Sequence, residues 1–288
     1  MNKVWSVLLK IRIHRLTWLL LALGVLTARF TELFFMFAIV LCHELGHAMA
    51  AQFLGWRIKS ITLLPFGGEL ETDEHGNRPW QEELIVLASG PLQHVWILGL
   101  TFLLYSNGWI TESMYTNLIL FNLVVLFVNL APIWPLDGGK ALFVLLSKRL
   151  PFLYAHRLAI IISAIGLLLA LIGVVVVNPL NMNWWIVFGF LIFSLLKEWR
   201  HRQYVFMRFL MERHYGHNLD IRNISQLEAE KDMVVYKILE DFRRDNKHII
   251  IVKNEEEELG KLDEAELLHA CFTSKMAYRP IGELLYPY

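Results

Sequence analysis

Apolar residues cluster along this chain into six runs: Leu16 to Thr27, Leu33 to Leu54, Leu84 to Tyr105, Leu118 to Leu130, Leu158 to Val177 and Trp184 to Leu196. With their flanking residues they are about long enough to cross a hydrocarbon core of about 30 Å, which predicts six spanning helices. Between the second and third runs, Ile58 to Trp80 is too polar and too rich in Gly and Pro to span. Its β-branched, alternating stretch Ile58 to Leu64, the turn Pro65-Phe66-Gly67-Gly68 and the alternation Glu69-Leu70-Glu71 predict a hairpin or re-entrant sheet. Such backbone is tolerated at membrane depth only where protein or water satisfies it, so the element either dips beside a polar site or lies solvated at the membrane surface. In the first case its free edge could pair with an extended substrate segment.

From Lys197 the pattern changes. Arg200 to Arg213 interleaves basic and apolar residues as a linker helix along a membrane face would. After it come a strand at Asn223 to Leu227, a helix at Val234 to Arg244, a buried strand at His248 to Val252, a charged turn at Asn254 to Glu258 and a helix at Asp263 to Cys271. The predicted fold is an α-helical polytopic membrane protein with a re-entrant β-hairpin and a small C-terminal α/β cytosolic domain.

Composition supports the membrane reading: 56% of the 288 residues are hydrophobic and 19% charged, with a mean hydropathy of +0.44. Formal net charge is zero, so nothing global points to a nucleic-acid partner. Lys and Arg concentrate before run one, between runs two and three, between runs four and five, and after run six, whereas the other loops hold only Arg29. That asymmetry predicts six spans with both termini cytoplasmic. A cleaved signal peptide is the competing reading of the first run, but no Ala-x-Ala-like site precedes Arg29 and the next apolar run follows at once. The two cysteines, Cys42 and Cys271, form neither a disulfide framework nor a Cys-based zinc site, and a reducing compartment fits.

Chemistry concentrates in the second run, at His43-Glu44-Leu45-Gly46-His47. Residues four apart on a helix share a face, so His43 and His47 can present imidazole nitrogens to one zinc ion at about 2.0–2.1 Å. Glu44 is the residue that a His-Glu-x-x-His site uses as general base. The fourth run breaks at Asn129 to Lys140, where two prolines and two glycines open the helix. Asp137, just after the break, is costly to bury unless paired or coordinated, and is the expected third zinc ligand. Taken alone, its Asp-Gly pair is a turn or helix-start signal. His94, one turn beyond Ser89-Gly90-Pro91 in the third run, is either a further ligand, a partner in the site or a hydrogen-bonded packing residue.

These residues resemble the site-2 protease family of intramembrane zinc metalloproteases, in particular its sporulation branch. The likeness rests on His43 to His47, on Leu136-Asp137-Gly138 within Asn129 to Lys140, and on Leu64 to Gly68, Glu74 to Pro79 and Gly90 to His94. It implies that His43, His47 and Asp137 bind zinc, that Glu44 is the catalytic acid/base, and that Asn129 and Pro135 lie near bound substrate. It further implies a membrane-associated pro-sigma factor as substrate, inhibitory membrane partner proteins, and residence in the outer forespore membrane facing the mother cell. The tail is similar to one cystathionine-β-synthase-type (CBS) module. That likeness implies ATP as a ligand, Glu266 at its ribose, and pairing with a second chain, whereas a plain substrate-docking domain is the alternative. The expected organisation is a metalloprotease domain over 1–197, a linker helix over 198–222 and the CBS-like domain over 223–288. Two rival functions are a membrane metal transporter, which would need ligands strung along a path, and a non-catalytic membrane scaffold, which would not need Glu44.

Overall fold

The structure is a computed structural model describing residues 10–26, 30–64, 67–72, 78–177, 180, 182–216, 223–255 and 257–285. Residues 1–9, which hold part of the Lys and Arg ahead of run one, Arg29, Pro65 and Phe66 of the expected turn, residues 73–77 and Asn178 and Pro179 lie outside them. The helices are α1 (Arg15–Leu26), α2 (Phe30–Phe53), α3 (Trp80–Ser106), α4 (Glu112–Leu130), α5 (Asp137–Ser147), α6 (Phe152–Val177) and α7 (Met182–Tyr215), then α8 (Val235–Leu239), α9 (Glu264–Phe272) and α10 (Gly282–Leu285). Strands β1 (Ile11–Ile13), β2 (Ile58–Leu64) and β3 (Gly67–Thr72) form one sheet; β4 (Asn223–Glu230), β5 (Asn246–Asn254) and β6 (Glu257–Asp263) form another.

Among the described residues, α2, α3, α4 and α6 are long and apolar enough to cross a membrane. With 12 residues, α1 reaches only about 18 Å. The sixth apolar run opens α7, a single helix of 34 residues that continues without interruption through Arg200 to Arg213.

The chain divides into two compact units, one comprising Met1–Glu74, Gln81–Ala141 and Gly166–Leu191, the other His75–Trp80, Leu142–Ile165 and Ile192–Tyr288. In the first unit the expected hairpin is present: β2 and β3 are antiparallel, with Ile61 opposite Leu70 and Leu63 opposite Gly68. A third strand joins it. Ile11 to Ile13, in the Lys- and Arg-rich stretch ahead of run one for which no strand was expected, pairs parallel to β2 in register with Ile61 to Leu63. Ile58 and Ile61 pack against Ala48 and Ala51 of α2 and Val86 of α3, and these small alanines let the sheet approach the helix that carries the His-Glu-x-x-His residues. On the other side of α2, Ile39 joins Ile97 of α3 and Leu118 of α4.

In the second unit β4 runs parallel to β5 and β6 antiparallel to it. The helix expected over Val234 to Arg244 is a short turn of helix, α8, because the chain bends back at Phe242, which is buried, and Asp245 takes a positive φ of 57°. Where a turn alone was expected after Asn254, Glu255 (φ 57°) reverses the chain into β6. Arg213 of α7 is buried against Glu264 of α9, donating from Nε to Oε1 and from Nη2 to Oε2 at 2.8 Å.

Candidate metal centre

The helix spacing brings His43 and His47 onto one face of α2 with their rings edge to face, centroids 4.7 Å apart. Both are buried, as are Glu44 and Asp137. Asp137 opens α5, and its Oδ2 lies 2.9 Å from His43 Nε2 and 3.0 Å from His47 Nε2; the two Nε2 atoms are themselves 3.0 Å apart. Three ligand atoms about 2.0–2.1 Å from a tetrahedral zinc would stand about 3.3 Å from one another, so this triangle is of the right size.

The donor chemistry fits as well. His47 Nδ1 lies 2.7 Å from the Val86 carbonyl, which can only accept, so the imidazole proton sits on Nδ1 and Nε2 turns its lone pair toward His43 and Asp137. A lone pair meeting a carboxylate oxygen at such a distance in a buried place calls for a cation between them. Among the described residues, this trio is the group of His, Cys, Asp or Glu side chains that could hold a metal ion.

Glycines set the close approaches. A Cβ on Gly90 of α3 would overlap the His47 ring and come within 2.8 Å of His43 Nε2. A Cβ on Gly46 would meet the Gln93 side chain and the Ser89 carbonyl, so α2 and α3 touch through two glycines. Gly68 at the start of β3 lies against the Glu44 side chain, which places the hairpin beside the buried carboxylate. The hairpin thus packs against the helix that carries the His-Glu-x-x-His residues, beside Glu44.

The break before Asp137 is built similarly: Gly138 packs under the carbonyls of Leu130 and Ala131, and Gly139 under the backbone of Ile133 and Trp134. Side chains at those positions would push the segment off the N-terminus of α5 and move Asp137. Within the segment, Asn129 donates from Nδ2 to the Val125 carbonyl of its own helix (3.0 Å), and Pro135 follows a cis peptide bond.

His94 is fully buried and does not join the trio. Its Nε2 lies 3.0 Å from His43 Nδ1, on the far side of the ring from Asp137. Its own Nδ1 lies 2.6 Å from Asn122 Oδ1, and Asn122 also is fully buried. Sequence reasoning passed over Asn122, although an amide inside the apolar run of α4 is a signal that it has a partner. In the tail, Glu266 accepts from the Asp263 backbone N–H at 3.1 Å as half of a capping box on α9, and it borders an open cleft of about 420 Å³ together with His269, Ser274 and Leu284.

A buried His-His-Asp set beside a glutamate, with both histidines and the glutamate on a helix long and apolar enough to span a bilayer, defines a membrane-embedded metallohydrolase. The comparisons place it further. The sequence matches Peptidase family M50 over residues 31–110 and 105–173. It is 45% identical over 288 residues to stage IV sporulation protein FB of Bacillus subtilis (strain 168), covering 100% of both chains. Over 151 residues it is 35% identical to a zinc metalloprotease of Methanocaldococcus jannaschii, 50% of this chain and 42% of that one. The solved site-2 protease from Methanocaldococcus jannaschii superposes with a TM-score of 0.52 at 29% identity, over 65% of this chain and 89% of that chain. The chain belongs to peptidase family M50: it is a zinc metalloprotease and a multi-pass integral membrane protein. Membership displaces the transporter and scaffold readings.

Proposed function

We propose that this chain is an intramembrane protease that removes the pro-sequence of a membrane-associated sigma factor during endospore formation, with His43, His47 and Asp137 holding zinc and Glu44 as the catalytic acid/base. The observation that carries the chemistry is the convergence of His43 Nε2, His47 Nε2 and Asp137 Oδ2 within 3.0 Å of one another beside buried Glu44. A zinc ion held by His43, His47 and Asp137 would supply Lewis acidity there, for lowering the pKa of water and polarising a peptide carbonyl. Glu44 takes the proton of the attacking water and returns it to the departing amine, which balances the hydrolysis. The hairpin excludes bulk water from one side of Glu44. Its strand β3 pairs, among the described residues, with β2 alone, so its other edge is available to hold an extended substrate backbone by strand addition. Asn129 and Pro135 belong to the segment leading to Asp137, which suits residues that border the substrate.

The substrate assignment is supported by the full-length likeness to a sporulation protein. On this reading six spans, including α1 and the first part of α7, place both termini in the cytoplasm of the mother cell, across the outer forespore membrane, and membrane partner proteins restrain the enzyme until it is needed. Residues 1–197 are the protease, 198–222 a connecting segment that begins in the last part of α7, and 223–288 one CBS-type half-module that a second chain completes to bind ATP. The strand, helix, strand, strand, helix order and the cleft beside Glu266 support that last assignment.

Co-expression with a candidate pro-sigma factor tests the whole. Accumulation of the shortened factor with the wild-type chain, and not with Glu44→Gln, is expected. A shortened factor in both would overturn the assignment, and processing of other membrane proteins in preference to it would replace the substrate. ATP binding to the full-length protein in detergent, lost in Glu266→Ala, is expected of the tail; absence of binding would make it a docking domain.

A further inference from the structure

Two fully buried polar side chains, His94 and Asn122, stand behind the trio without contributing to it. Asn122 settles which way its own amide points. Its Nδ2 donates to the His94 carbonyl at 3.0 Å, so the atom 2.6 Å from His94 Nδ1 is the amide oxygen, which only accepts. His94 therefore carries its proton on Nδ1. The other nitrogen of that neutral ring, Nε2, is then an acceptor, and it faces His43 Nδ1 at 3.0 Å. His43 must donate from Nδ1, which leaves the lone pair of His43 Nε2 aimed at the point shared with His47 and Asp137.

We propose that His94, locked by Asn122, is a positioning residue that fixes the tautomer and ring plane of His43 for the metal. The inference rests on the proposed assignment of His43 as a ligand. It extends that assignment across three helices: α2 supplies the ligand, α3 the acceptor behind it, and α4 the amide that orients the acceptor. His94 lies four residues beyond Gly90, on the same face of α3, so the bare backbone at Gly90 that lets α3 lie against the two imidazoles also brings His94 within reach. Its Nε2 is committed to His43 and stands outside the ligand trio, which excludes it as a fourth protein ligand. Buried acceptors of this kind hold metal-bound imidazoles in many sites, and their loss typically weakens metal affinity or activity by about 10- to 100-fold. The effect here should sit at the upper part of that range, because His43 and His94 are both buried inside the protein, which leaves the orphaned N–H away from solvent.

The test is metal affinity of the full-length protein in detergent, with cobalt(II) and zinc titrated against a chelator and the cobalt visible spectrum recorded. His94→Leu keeps the bulk and removes the acceptor, and is expected to lower affinity by about 10- to 100-fold with a changed cobalt spectrum. His94→Gln is expected to restore most of it, since its amide oxygen can accept from His43 while its NH₂ donates to Asn122. Asn122→Leu, which frees the His94 tautomer, should fall between the two, and it carries the test if His94→Leu does not fold. Wild-type affinity in His94→Leu or in Asn122→Leu, or His94→Gln as weak as His94→Leu, would overturn the inference. A wild-type chain that binds no metal, or a His43→Ala variant that binds it normally, would instead overturn the ligand assignment beneath it.

Discussion

Oδ2 of Asp137 lies 2.9 Å from Nε2 of His43 across 94 residues of chain. Two acceptor atoms at that distance in a buried place repel unless a cation joins them, and His47 Nε2 at 3.0 Å from the same oxygen makes the case threefold. The arrangement fits a metal ion placed among the three atoms.

Replacing Asp137 by Asn should therefore weaken zinc retention along with cleavage, since an amide oxygen is a poorer zinc ligand than a carboxylate. Metal analysis after dialysis against a mild chelator reads this directly. Full zinc and a full rate in that variant would move the third ligand elsewhere.

Glu44→Gln separates chemistry from binding. The carboxylate lies beside the trio without belonging to it, so zinc per chain should stay at the wild-type level while hydrolysis falls by about 10²-fold or more, the usual contribution of a positioned acid/base. A rate near wild type would remove Glu44 from the mechanism.

Gly90→Ala makes a steric prediction against helix propensity. In a helix interior Gly to Ala ordinarily stabilises by about 1 kcal/mol. At Gly90 the added methyl meets the His47 and His43 rings, so zinc affinity and cleavage should both drop. Gly99→Ala on the same helix, where nothing stands within 4 Å, should leave both unchanged and serves as the control.

The C-terminal unit should be labile to acid. Burial works against the Glu264 carboxylate, but hydrogen bonds from His248 and the adjacent Arg213 guanidinium outweigh it and hold the carboxyl below its ordinary value. Burial pushes the His248 imidazole below its usual value, more than its bond to Glu264 raises it. Both groups bind fewer protons folded than unfolded, so their contribution is whole above about pH 6.5 and declines as the medium is acidified, first through His248 and then, below about pH 4.5, through Glu264. Thermal melting of the full-length protein, followed by limited proteolysis of residues 223–285, should show that region opening at lower temperature as pH falls from 7 to 5. Glu264→Ala, which leaves buried Arg213 with its backbone acceptors at Arg243 and Asn246 but without its counter-charge, should destabilise it by about 3 kcal/mol at neutral pH. A pH-independent melting temperature would contradict the assignment of protons.

Much of this molecule is local in origin, and that part is readable along the chain. The apolar runs of α2, α3, α4 and α6, the i, i+4 pair His43 and His47, and the glycine-proline break ahead of Asp137 each depend on residues a few positions apart. The hairpin β2–β3 belongs with them, because its turn and alternation lie within fifteen residues, Ile58 to Thr72. Strands β1 and β6 were not legible. Three residues at Ile11 to Ile13 become a strand only because β2, some fifty positions later, offers its edge in register, and Glu257 to Asp263 only because β5 does.

The sequence alone determined which residues have the chemistry of the site: imidazoles and carboxylates in an apolar chain have few other uses, and their spacing on α2 is set by the helix itself. Only the tertiary structure decided that Asp137 meets both imidazoles at one oxygen, that His94 stands behind His43 instead of beside it as a ligand, and that Asn122 orients His94. The reason is distance along the chain. Partners 28 to 94 residues apart come together through helix packing, and that packing depends on glycines at 46, 68, 90, 138 and 139, whose lack of a side chain matters only once a neighbour occupies the space.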